Sequence, residues 1–276
     1  PVQVADVTLF LQRGNRKVRE FRFVGDVDTS GYTAPDMTIL AEHITEGGIT
    51  EFAYQQEPDS VVWALRSDGV LLGLTYRREE QVVAWHKHTI GGAFSSGNAV
   101  VESIATLPTD TGEDELYMIV KRTINSQTKR YVERLKLFDF GTSATSAFFV
   151  DSGLTYSGSA VTSLGALHHL EGQTVSILGN GGSHADKTVS SGTISLDVSA
   201  TTAAVGLGYT SNLQTLRLES GSVDGTSQGK PKRIHHITLR LFRTVGLEVG
   251  SSSGDVDRVP FRDSSMAMDQ AVSLFT

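Results

Sequence analysis

The chain has 276 residues, among them 28 glycines, 6 prolines and no cysteine, and its 24 Lys and Arg against 31 Asp and Glu leave a net charge of −7. That length allows a true core and one or two domains, while the absence of cysteine removes disulfide frameworks and thiolate metal sites. A net negative chain without a basic stripe argues against a dedicated nucleic-acid binder, though not against a wall past which DNA slides without sticking.

Few windows carry a helical period, and the composition predicts an all-β fold. Residues 7–12 and 18–24 read as a hairpin about Gly14-Asn15, with Arg19, Phe21 and Phe23 alternating against Glu20 and Arg22 to give one buried face. Residues 32–46 read as a helix: Pro35-Asp36 opens it, Ile39, Leu40 and Ile44 form its apolar stripe, and Gly47-Gly48 stops it. A strand at 49–54 leads into the clearest pattern, three strands within 61–88. Asp68-Gly69 suits a two-residue hairpin, because glycine accepts positive φ, and the polar run 77–81 makes the second turn. In the middle strand Leu72, Leu74 and Tyr76 point opposite to Leu71, Gly73 and Thr75. In the last, Val83 and Trp85 oppose Val82, Ala84 and His86. A second three-strand group occupies 100–107, 115–122 and 129–137. Two such groups of roughly 40 residues each fit successive blades of a β-propeller, and nearly as well a meandering sandwich.

From residue 142 Ser, Thr, Gly and Ala dominate and charge thins. Residues 148–220 are expected to form a small inserted β-barrel or sandwich, with strands near 174–178, 192–198, 203–207 and 213–218. After a polar loop at 221–232, a strand at 234–243 sets Ile237, Leu239 and Leu241 against His236, Thr238 and Arg240. Residues 249–257 read as a loop and 258–262 as the start of a last strand. The division is thus 1–147, 148–220 and 221–276. Pro1 at one end and the apolar Leu274-Phe-Thr276 at the other predict a fragment of a longer polypeptide.

The residues that carry chemistry elsewhere read mostly as structure here. Gly179-Asn-Gly-Gly182 lacks the following helix and Lys-Ser/Thr pair of a phosphate loop, so a hairpin turn is expected. His86 and His88 share a strand face and both imidazoles can reach one zinc, but only Glu79 and Glu80, across the turn, stand near in sequence. His168/His169 and His235/His236 are adjacent pairs that would face opposite ways on a strand; His43 and His184 stand singly. No Gly-x-Ser-x-Gly elbow occurs, and Ser157-Gly-Ser159 and Ser251-Ser-Ser-Gly254 read as loops. The carboxylates at Glu79/Glu80, Glu113/Asp114/Glu115 and Asp255/Asp257 are expected in turns, without the ~5–9.5 Å spacing across a cleft that a glycosidase needs. Arg77-Arg78 and Lys230-Pro-Lys-Arg233 can meet phosphates or an acidic neighbouring subunit, or simply keep loops in solvent. Trp63 and Trp85 can stack on a sugar, although their alternation with core positions predicts burial. No catalytic, cofactor or metal residue is assigned, no enzymatic activity is expected, and with no signal-peptide pattern and no apolar run of ~20 residues no membrane anchor is expected.

Glu57-Pro-Asp-Ser-Val-Val-Trp-Ala-Leu-Arg-Ser-Asp-Gly-Val-Leu-Leu-Gly-Leu-Thr-Tyr76 and Val83-Ala-Trp-His-Lys-His88, followed in order by Val101-Glu-Ser-Ile-Ala105, Leu116-Tyr-Met-Ile-Val-Lys-Arg122 and Arg130-Tyr-Val-Glu-Arg-Leu135, resemble the tail nozzle (tail tubular protein B type) family of short-tailed bacteriophages. The resemblance implies a partial β-propeller whose copies form a homo-oligomeric ring at the distal end of the virion's tail. Such a ring lines or closes the DNA exit channel, contacts adaptor and fibre proteins, and lets DNA pass without sequence-specific binding. Residues 173–182 resemble a small β-barrel inserted in many phage tail proteins, and 241–246 resemble the family's return strand into the propeller. Two other classes stay open: a virion carbohydrate-binding or depolymerase-like β module, and a propeller scaffold unrelated to virions.

Overall fold

The computed structural model describes residues 1–25, 30–216, 226, 229–266 and 271–275. The chain is all-β, built from antiparallel sheets with two single-turn 3-10 segments, and none of the sheets among the described residues closes on itself. Strands β1 (Val2–Val4), β2 (Val7–Leu11), β3 (Val18–Gly25) and β4 (Ser30–Thr33) pair in chain order. So do β5 (Ile49–Gln55), β6 (Val61–Arg66), β7 (Leu71–Arg77) and β8 (Val82–His88). A two-stranded ribbon of β9 (Ala93–Phe94) and β10 (Gly97–Asn98) leads to the three-stranded sheet of β11 (Val100–Pro108), β12 (Asp114–Ile124) and β13 (Gln127–Arg134). Next come β14 (Asp151–Leu164), β15 (Thr174–Gly179), β16 (Gly182–Thr188) and β17 (Ile194–Leu207), in the order β14-β17-β15-β16. A ribbon of β18 (Glu248–Ser252) and β19 (Asp255–Arg258) lies near the end.

The expected period-2 pattern of the central strands decides how the first three sheets stack. Val62, Ala64, Leu72, Leu74 and Tyr76 join Val4, Val7, Leu9 and Val18 of the first sheet in one core. The residues between them in sequence, Val61, Trp63, Leu65 and Leu71, join Val101, Ile104, Leu116, Met118 and Val120 of the third sheet in another. Strands β6 and β7 are therefore buried on both faces, while β8 at the sheet edge is not, which explains why β6 is apolar at nearly every position. Residues 164–207 gather a core of their own around Leu167, Leu170, Val175, Ile177 and Ile194.

Both three-strand groups form as expected, the central one gaining β5 as a fourth strand. Asn180-Gly181 joins β15 to β16 with φ of 50° and 78°, the two-residue turn that matches strand twist, so the phosphate-loop alternative falls away. At Asp68-Gly69 the loop has three residues rather than two: Arg66 donates its N–H to Val70 O, and Gly69 takes the left-handed position at φ 85°.

Other expectations are overturned. Residues 32–46 form no helix. Met37 N donates to Val18 O and Glu20 N to Pro35 O, tying the segment to β3. Asp36 Oδ1 accepts from Thr38 N at 2.9 Å and Thr38 Oγ1 at 2.6 Å, a local turn that competes with helix. The buried residues are Thr38, Ala41 and Thr45, whereas Leu40 is 92% exposed. The outward face of β3 is also reversed: Val18 and Glu20 are buried while Phe21 and Phe23 face solvent. The strands expected at 192–198 and 203–207 are one strand, β17. No strand forms at 234–243, at 213–216 or at 259–262; residues 217–218 and most of the polar loop at 221–232 lie outside the described residues. The supposed loop at 249–257 is instead the β18–β19 hairpin.

Candidate functional site

A cleft of about 770 Å³ opens where the β1–β2, β5–β6 and β7–β8 turns come together. Tight turns leave their polar residues at one end of the stacked sheets, so this end collects charge. Asp6, Glu57, Glu79 and Glu80 line the cleft together with Arg77 and Arg78. Arg77 meets Asp59 at 3.5 Å and Arg78 meets Asp6 at 3.4 Å. Among the described residues Glu57, Glu79 and Glu80 have no ion-pair partner, so the rim is net acidic.

Beneath the rim, the Tyr76 hydroxyl donates to Glu20 Oε2 at 2.7 Å. Burial first, then this carboxylate, drive the Tyr76 pKa upward, so the phenol stays protonated and holds the donor role. Arg22 Nε lies 3.0 Å and Arg78 Nε 3.8 Å from Glu20 Oε1, which offsets the burial of that carboxylate. Tyr54 and Ser60 hydroxyls stand 3.2 Å apart, and Ser60 Oγ donates to Tyr76 O. The result is a fixed polar floor under a charged rim.

At the other end of β8, His86 and His88 do share a face, with ring centroids 5.0 Å apart and both packed on Trp63. Glu79 and Glu80 do not join them: at about 3.3 Å per residue the turn lies some 20 Å away. No group of three His, Asp or Glu that could hold a metal exists among the described residues. Burial lowers the pKa of both rings, that of His88 to about 4, with the neighbouring His86 adding to the effect. They are neutral aromatic packing at neutral pH.

The tryptophans are structural. Trp63 is buried and donates Nε1–H to Gln55 Oε1 at 2.8 Å; Trp85, half-buried, donates to Met37 O at 2.8 Å. The exposed aromatic surface lies elsewhere: Phe21 stacks on Tyr32 at 4.9 Å with planes 5° apart, and Phe23 meets Tyr32 edge-on at 5.6 Å. Phe23 is 59% and Tyr32 70% exposed. Their register across β3 and β4 (Phe23 opposite Tyr32) was the missed signal, hidden because the sequence does not say which face of β3 meets the core.

A third constellation joins the first sheets to the later one. Arg122, fully buried on β12, donates from Nε to Gly91 O at 2.7 Å and grips the Glu133 carboxylate with both terminal nitrogens, the Nη2–Oε2 contact measuring 3.0 Å. Asp151 at the start of β14 accepts the Gly91 N–H at 2.6 Å, and burial pushes its pKa up. This packing is tight enough that a Cβ on Gly91 or Gly92 would stand about 3 Å from Leu207.

His168 and His169 lie on one 3-10 turn rather than on a strand, and His169 Nε2 sits 2.8 Å from Ser152 O. His235 and His236 are exposed on a strandless segment, where His236 Nε2 is 3.2 Å from Thr238 Oγ1. His43 is exposed, and His184 covers Gly179. Of the carboxylates expected in turns, Asp255 and Asp257 lie on β19, and Asp114 and Glu115 open β12, where Glu115 holds Arg134 at 2.7 Å. No helix among the described residues is long and apolar enough to cross a membrane. Compared with known proteins, the chain matches no family model and no curated protein.

Proposed function

We propose that the chain is a structural subunit of a short phage tail, a nozzle component that assembles with copies of itself into a ring around the DNA exit channel. The observation that carries this reading is the serial face-to-face packing of three antiparallel sheets, the central strands of the middle one buried on both sides. Propeller blades stack in this way. The finer architecture proposed is a partial β-propeller over 1–147 and 221–276 interrupted by a small β-barrel domain over 148–220. The residues that resemble the nozzle family at 57–76 and 83–88 fall on and around the central sheet, so the likeness coincides with the element that organises the stack. The mechanism is steric. Subunit contacts hold the ring, a wall of net negative charge keeps DNA from adhering, and the outer surface meets adaptor and fibre proteins at the distal end of the virion's tail. No catalysis and no cofactor belong to this reading.

Immunogold labelling of intact virions from the source phage, with antibody raised against this chain, tests it. Label concentrated at the tip of a short tail is expected; antigen present only in host lysate would overturn the reading. A second reading, a glycan-binding virion module, is favoured by the Phe21–Tyr32–Phe23 platform, since flat exposed rings offer stacking surface. Glycan binding abolished by Tyr32→Ala but not by Trp63→Phe would move the assignment there.

A further inference from the structure

We infer that the basic segment 230–243 of one copy docks in the acid-rimmed cleft of a second copy, giving a head-to-tail contact; the inference rests on the self-assembly proposed above. The segment holds five Lys and Arg and no acidic residue, within a chain whose net charge is −7. Arg243 is tethered to Asp139 at 3.1 Å, which fixes one end of the segment on its own subunit. Lys230, Arg233 and Arg240 have no ion-pair partner among the described residues. Three unpaired cations on the segment thus face three unpaired anions on the cleft, Glu57, Glu79 and Glu80.

Apolar pattern adds to charge. Ile237 and Leu239 alternate with Thr238 and Arg240 as in a strand, yet residues 231–240 are all exposed and form no ladder with any described strand. A strand-patterned segment in this position keeps its apolar face in water until it meets a partner. Behind its acidic rim the cleft offers exposed Pro58 and the half-buried ring of Tyr54 as apolar contact, in a volume typical of binding sites. One chain carries both halves and leaves them apart, so the contact is made between copies. A donor segment and an acceptor cleft on different patches form a heterologous interface, the kind that closes into rings.

Sedimentation of the purified full chain at low and high salt, with two charge-reversal variants, decides the matter. R233E/R240E and E79K/E80K change exposed side chains that hold no ion pair among the described residues, so folding, checked by circular dichroism, should survive. Each variant alone should weaken self-association roughly tenfold or more, the two mixed together should associate again, and wild-type assembly should fall as salt rises. Assembly insensitive to both reversals would overturn the docking while leaving the ring intact. A wild-type chain that stays monomeric at every concentration would overturn the docking and the self-assembly together. A monomer whose sedimentation coefficient drops on reversal would place the segment in its own cleft, and would overturn the contact between copies.

Discussion

Gly73 is where the central sheet tolerates no side chain. A Cβ at that position would stand 2.1 Å from His86 Nε2, and the ring has no easy retreat, being held edge-on to Trp63 and to His88. Gly73→Ala should therefore destabilise the chain by about 1–3 kcal/mol through overpacking, read as a lower urea midpoint with unchanged slope. Adding His86→Ala should recover much of that loss, because the two substitutions share one space. His88 makes a second prediction. Its folded pKa of about 4 lies below the ordinary 6.5, so between those values the unfolded chain binds the extra proton. Stability should then be flat above pH 6.5 and fall as the pH drops toward 4, by about 2 kcal/mol after allowing for partial solvent screening. Urea titrations from pH 7.5 to 4.5 should give that slope in wild type and a shallower one in His88→Phe; equal slopes in the two proteins would assign the acid sensitivity to other groups.

At the scale of elements, the junction at Gly91 couples sheets distant in sequence through Arg122, Glu133 and Asp151. Arg122→Met removes one member of a buried pair and leaves Glu133 facing the core edge uncompensated, a loss of about 3–5 kcal/mol. Asp151→Ala strands only the Gly91 N–H, a loss of about 1–3 kcal/mol. Hydrogen exchange should quicken at the Gly91 amide in Asp151→Ala while β5–β7 stay protected; equal loosening of both would mean that Asp151 supports the whole stack. Strands were legible in the sequence where period-2 alternation met tight-turn chemistry, as at Leu71–Arg77 and at Asn180-Gly181, although the same alternation at 234–243 forms no strand. The missed elements share a cause. Ile39, Leu40 and Ile44 have helical spacing, but Asp36 captures Thr38 locally, and the chain crosses β3 closely enough that small residues (Thr38, Ala41, Thr45) face inward. The two aromatics on β3 alternate correctly, yet alternation cannot distinguish the core face from the solvent face. Nor could spacing anticipate the cleft, since its rim comes from turns far apart in the chain.

The whole molecule has two centres of stability: the doubly packed β5–β8 sheet with its neighbours, and the separate core of residues 164–207. Among the described residues no strand of one region packs extensively on a strand of the other; they meet at places such as the Gly91 junction and Tyr131 against His169, with ring centroids 6.0 Å apart. Such a boundary transmits less cooperativity than a shared apolar core, so heating should resolve two transitions. Leu74 and Leu170 are both fully buried, one in each region, and truncation of either to alanine should cost about 2–5 kcal/mol. Calorimetry of Leu74→Ala should lower the transition of the stacked sheets and leave the other nearly fixed, with Leu170→Ala doing the reverse. A single transition lowered equally by both would mean that the Gly91 junction makes one cooperative unit of the chain. Two independent transitions would instead allow the later sheet to shift against the stack without unfolding it.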